Sequence, residues 1–133
     1  MSGIEIVKQS SDTTPYSVFY ANSHRAGTYA AYVRGKRCGT LKGLLCELSA
    51  AFHFPAYFGE NWDALDECLC DLDWLCFERI ALVVDSFEAI LPFDRKGKQT
   101  LLAVLQTAVD HWQAEGIAFD VYIFEDRKTC RRR

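Results

Sequence analysis

Apolar positions along this chain repeat with two periods, and the alternation between them sets the order of elements. Thr28-Tyr29-Ala30-Ala31-Tyr32-Val33 is rich in strand-forming residues and is closed by the polar turn Arg34-Gly35-Lys36-Arg37. Leu41, Leu44, Leu45, Leu48 and Phe52 then recur at helical spacing, with Thr40 placed to cap the helix and Pro55 forbidding its continuation. Trp62, Leu65, Leu69 and Leu72 form a second stripe. Asn61 is a good N-cap for it and Gly59 stands at the bend before it, so the stretch from Asn61 to Leu72 predicts a helix of about three turns.

Arg79 to Asp85 is a near-continuous apolar run of strand length, as in a strand covered on both faces. Ser86 is placed to cap a short helical turn through Leu91, broken by Pro92 to Gly97. Gln99 to Glu115 carries Leu101, Leu102, Leu105, Ala108, Val109 and Trp112 at helical spacing, with Gly116 as its stop. Phe119 to Phe124 reads as the last strand. Residues 1–27 are less regular: Ser10 to Pro15 is turn chemistry, Tyr16 to Tyr20 has the length of a short strand, and Asn22 to Gly27 reads as a loop.

Strands separated by helices imply right-handed crossovers and a parallel sheet. The expected fold is α/β: a small three-stranded parallel sheet packed with helices, with Tyr16 to Tyr20 as a candidate extra N-terminal strand at an edge. One domain is the default for 133 residues, and a hydrophobic share of 50% with 14% aromatics supports a core without staples. The organising unit is residues 28–126, with 1–27 as an N-terminal extension and 127–133 as a basic tail.

Charge changes this picture more than composition does. The net charge is −3, but the tail RKTCRRR holds five of the fifteen basic groups. Residues 1–126 carry 10 basic against 18 acidic groups, a net of −8, which favours basic partners over nucleic acid. The tail reads as a solvated terminus, since no aromatic residue accompanies its charges. No lysine or arginine lies between Lys42 and Arg79, and that window holds eight carboxylates. Asp63, Asp66, Glu67 and Asp71 fall on the polar side of the helix predicted from Asn61, where like charges three and four residues apart oppose helix formation. Such a face is either a solvated surface or a docking surface for something basic.

Other chemistries find less support. Paired carboxylates can do acid–base work, but exposed ones are not desolvated. Six cysteines and three histidines show no CxxC pair and no clustered zinc spacing, so neither metal nor cofactor is expected, and the thiols suit a reducing cytoplasm. No phosphate-binding glycine loop occurs. The N-terminus has no apolar signal core and no run reaches membrane-spanning length.

Pro55-Ala56-Tyr57-Phe58-Gly59-Glu60-Asn61-Trp62-Asp63-Ala64-Leu65-Asp66-Glu67-Cys68-Leu69 closely resembles the signature of the barstar family, intracellular inhibitors of the ribonuclease barnase. The order of elements from Thr28 to Asp126 and Ala114-Glu115-Gly116 after the last long helix fit the same pattern. The resemblance implies a non-enzymatic inhibitor whose second helix and preceding turn plug a ribonuclease active site, with carboxylates standing in for substrate phosphates. Carried over by position, Tyr57 packs at the mouth of the enzyme, Gly59 allows close approach, Asn61 caps and contacts, and Asp63 meets basic groups. Glu67 takes the place of the family's central aspartate. Asp66 and Leu72 stand where aromatics are found, and His111, beside Asp110, where a further carboxylate contributes. The implied partner-binding set is Tyr57, Gly59, Asn61, Asp63, Asp66, Glu67, Asp71 and His111. The implied partner is a basic ribonuclease, barnase-like or other, bound by a monomer in the cytoplasm without nucleic acid or membrane. The alternative is a non-inhibitory module on the same scaffold that binds another basic protein.

Overall fold

The computed structural model describes residues 3–56 and 58–125. In chain order the elements are β1 (Gly3–Val7), α1 (Pro15–Ser23), β2 (Thr28–Arg34), α2 (Leu41–Phe52), α3 (Trp62–Leu69), β3 (Arg79–Asp85), α4 (Arg95–Ala114) and β4 (Ala118–Phe124). Single 3-10 turns, Gly35–Arg37 and Phe87–Ala89, follow β2 and β3.

The sheet is parallel throughout, in the order β1-β4-β3-β2, so it has four strands rather than three. The additional edge strand is N-terminal, but it is Gly3–Val7. Tyr16 to Tyr20 belongs to helix α1 instead. A capping box explains the difference: Ser17 N–H donates to Thr14 Oγ1 at 3.0 Å and Thr14 N–H donates to Ser17 Oγ at 2.9 Å, with Pro15 in the first turn. Those local hydrogen bonds outweigh the strand preference of Tyr, Val and Phe in so short a segment.

Topology dictates where the helices go. From β2 to β3 to β4 the chain steps sideways in one direction, with α2, α3 and α4 on one face. From β1 to β2 it crosses the sheet the opposite way, so a connection of the same hand must run over the opposite face. Helix α1 lies there, with Phe19 edge-on to Tyr32 at 5.4 Å, while Tyr29, of opposite pleat parity, packs towards Phe52 of α2. The central strand β3 is buried from Ile80 to Val84. The main core lies between the sheet and the three helices: Val33, Leu82 and Val121 meet Leu45, Leu48, Leu65, Leu69, Leu105 and Val109. Residues 3–27 thus supply one sheet edge and the helix on the second face.

Helix α4 begins at Arg95, four residues before the expected start at Gln99. Asp94 caps it by accepting from Gly97 N–H at 2.8 Å, so the Pro92–Gly97 stretch breaks the chain only as far as Asp94. At the turn before Phe87, Ser86 is itself in the left-handed region and its side chain makes no capping bond.

Candidate functional site

Helix α3 begins as its sequence demands. Asn61 Oδ1 accepts from Ala64 N–H at 2.8 Å, and Asn61 Nδ2 donates to Gly59 O at 3.3 Å. The helix is shorter than expected: it ends at Leu69 with Cys70 as its cap, about two turns rather than three. Leu72 does not continue the stripe as a helical residue. It adopts φ 45° and reaches the core from outside the helix, fully buried. Nothing basic stands in the last turn, and Asp71 and Asp73 lie where the helix dipole disfavours negative charge, so extension of the helix is opposed.

Asp63 and Glu67 are therefore neighbours one turn apart on the exposed side of α3, with Asp66 half-buried between them. Leu65, Cys68 and Leu69 anchor the opposite side in the core. Asp71 is exposed but stands beyond the helix end. Asn61 and Gly59 are exposed at its start. Tyr57 lies outside the described residues. His111 is half-buried on α4, its ring edge-on to Trp112 at 5.0 Å, and Trp112 joins α4 to the end of α3. Phe58 and Trp74 pack around Phe54, at 4.8 and 6.2 Å between ring centroids, and serve the core's rim.

Two features of the site carry no simple sequence signal. The first is Glu60, with φ 53°, in the left-handed region that glycine usually fills; the adjacent Gly59 does not need it. A Cβ on Gly59 would meet Asn61 Nδ2 at 3.4 Å and the Ala64 Cβ at 3.5 Å, which are ordinary contacts. The second is how the helix ends are satisfied. Trp112 Nε1 donates to Leu69 O at 2.8 Å, Trp74 Nε1 to Phe52 O at 2.9 Å and Tyr29 Oη to Ala51 O at 2.6 Å. Last-turn carbonyls of α2 and α3 are thus met by neutral aromatic donors, and no lysine or arginine stands in the last turn of either helix. The negative charge of the surface is left uncompensated.

The thiols beside the carboxylates add nothing to that charge. Burial, reinforced by Asp71 and then Glu67, raises the Cys68 thiol above its ordinary range, and burial with Asp66 does the same for Cys70. Both stay protonated at neutral pH, so neither supplies a ready thiolate. Among the described residues no three His, Cys, Asp or Glu side chains are grouped to hold a metal ion.

The family model described as Barstar (barnase inhibitor) matches residues 28–123, which span α3 and the sheet from β2 to β4. The chain belongs to the barstar family. No individual curated protein matches it. Barstar-family membership accounts for the α/β fold with a parallel sheet and points to a ribonuclease inhibitor in kind; β1 and α1 lie outside the matched region. No helix among the described residues is long and apolar enough to cross a membrane.

Proposed function

We propose that this chain inhibits a basic ribonuclease by seating α3 and the turn before it in the enzyme's active site. The observation that carries this reading is the pairing of Asp63 and Glu67 on an exposed helix face whose back is fixed in the core, in a stretch without a lysine or arginine from Lys42 to Arg79. A site that binds phosphates with arginine and lysine would meet these carboxylates through charge-assisted hydrogen bonds. Asn61, Gly59 and Tyr57 extend the contact along the preceding turn, Asp66 and Asp71 border it, and His111 flanks it from α4. The inhibitor has no turnover and needs no cofactor; it acts in the compartment where its target is made, the cytoplasm.

The test is a pull-down with the wild-type chain and with the Asp63→Ala/Glu67→Ala variant, followed by a ribonuclease assay on what only the wild type retains. Recovery of a basic ribonuclease, inhibited when the wild type is added back, is expected. Equal capture by both proteins, or capture of a basic protein with no nuclease activity, contradicts the reading, and the second outcome would favour a non-inhibitory module.

A further inference from the structure

The end of the molecule away from α3 has the opposite character. The carboxyl ends of β2 and β3 open into two loops tied together, Leu91 N–H donating to Cys38 O at 3.0 Å. Helices α2 and α4 both start from these loops, so four segments meet there. Arg34, Lys36, Arg37 and Lys42 come from the first loop and α2; Arg95, Lys96 and Lys98 open α4. These are seven of the ten basic groups of residues 1–126, and all but Lys98 are exposed.

The carboxylates at this end are engaged by the fold, although Asp94 remains exposed between Phe93 and Arg95. Asp85 accepts from Tyr32 Oη at 2.7 Å and from Gly35 N–H at 3.0 Å; Glu47 accepts from Arg34 N–H at 3.0 Å and pairs with the Arg34 guanidinium at 3.4 Å, which takes Arg34 out of the free charge; Asp94 caps α4. Glu88 and Glu125 are half-buried and engaged. Lys42, Arg95, Lys96 and Lys98, by contrast, lie in the first turns of α2 and α4, where no acidic residue stands and where the helix dipole disfavours positive charge, and Lys36 and Arg37 lie on the 3-10 turn after β2. Among them Phe93 is 100% exposed, held between Pro92 and the Asp94 cap, while Lys98 Nζ lies over the inner Phe87 ring at 4.8 Å.

We propose that this end binds single-stranded nucleic acid, Phe93 stacking on a base and Lys36, Arg37, Arg95 and Lys96 meeting the phosphates on either side. A cationic surface with a free aromatic ring is what unpaired strands require, because every base presents a π-face. An acidic protein would meet the cations but leaves the isolated ring without a role. The net charge of the body argues against nucleic acid only if charge is evenly spread. Here the acidic helix packs at the amino ends of the strands, roughly 20 Å away along a seven-residue strand. That exceeds two screening lengths of about 8 Å at physiological ionic strength.

The experiment is fluorescence anisotropy of a labelled oligouridylate of about twelve nucleotides, within the range such sites cover, titrated with the full chain. Because the basic tail is present throughout, the variants decide. Phe93→Ala is expected to weaken binding roughly fivefold to a hundredfold, the loss expected for one stacked base. Arg95→Glu/Lys96→Glu should remove most of the remainder, with thermal unfolding unchanged in both. Asp63→Ala/Glu67→Ala should bind the oligonucleotide undiminished, which separates this surface from the inhibitory one. No binding by the wild type at low salt overturns the proposal. So does equal binding by wild type and both variants, or displacement by polyglutamate with no effect of Phe93→Ala, which would mark a site for acidic proteins.

Discussion

The carboxylates of α3 are separable from the side chains that hold the helix, and this separation can be measured. Asp63→Ala and Glu67→Ala should each weaken target binding by about 2–5 kcal/mol, the usual loss when one member of a buried charge pair is truncated, a range to which barstar–barnase measurements themselves contribute. Neither should lower the melting temperature appreciably, since both side chains are exposed and make no hydrogen bond that the fold needs. Glu60 is a different case. Its left-handed backbone is strained, so Glu60→Gly should raise stability by roughly 0.5–1 kcal/mol in denaturant unfolding. Asp120, on the far face of the sheet, supplies a pH signature. Burial raises its carboxyl above the ordinary range even though Arg25 and Arg79 oppose the shift. The folded state therefore binds this proton more tightly than the unfolded one, and stability falls as pH rises from the ordinary carboxylate range through the folded value. Asp120→Asn should unfold at a higher temperature than the wild type at pH 7, with the advantage vanishing in acid below the unfolded pKa; a constant difference across pH would exclude this cause.

At the level of elements, α3 is a short helix fixed at both ends by groups that carry no positive charge. Asn61 closes the start and the Trp112 indole closes the end. Trp112→Phe keeps most of the packing but strands the Leu69 carbonyl, and should cost about 1–3 kcal/mol in unfolding while leaving the α3 carboxylates in place. The capping residues of α2 and α3 could be read from the sequence because Thr40 and Asn61 directly precede clean apolar stripes. The end of α3 could not: Leu72 matches the helical period, yet it reaches the core through a left-handed turn, and periodicity does not distinguish the two. The helix α1 was hidden for a related reason. Its apolar residues are only half-buried on a lightly covered face, so its signal lay in the Thr14–Ser17 capping pair and not in a stripe. β1, a five-residue edge strand, offered too short a pattern to rank above the turn that follows it.

On the scale of the whole molecule the chain is polar in charge. The carboxylates of α3 lie towards the amino ends of the strands and a cationic surface lies at their carboxyl ends, a division that a single net charge conceals. The barstar-like motif made the acidic side legible, because Asn61, Asp63 and Glu67 fall within one continuous stretch. The cationic side is assembled from two separated stretches, residues 34–42 and 93–98, and only the parallel topology brings them together. On the proposed function, α3 occupies the place of a substrate's phosphates in a ribonuclease active site. The most direct measurement is the steady-state inhibition of a barnase-like basic ribonuclease at several RNA concentrations. Strictly competitive inhibition, lost in Asp63→Ala/Glu67→Ala at unchanged thermal stability, is the predicted result; inhibition independent of RNA concentration, or retained in full by that variant, would contradict it.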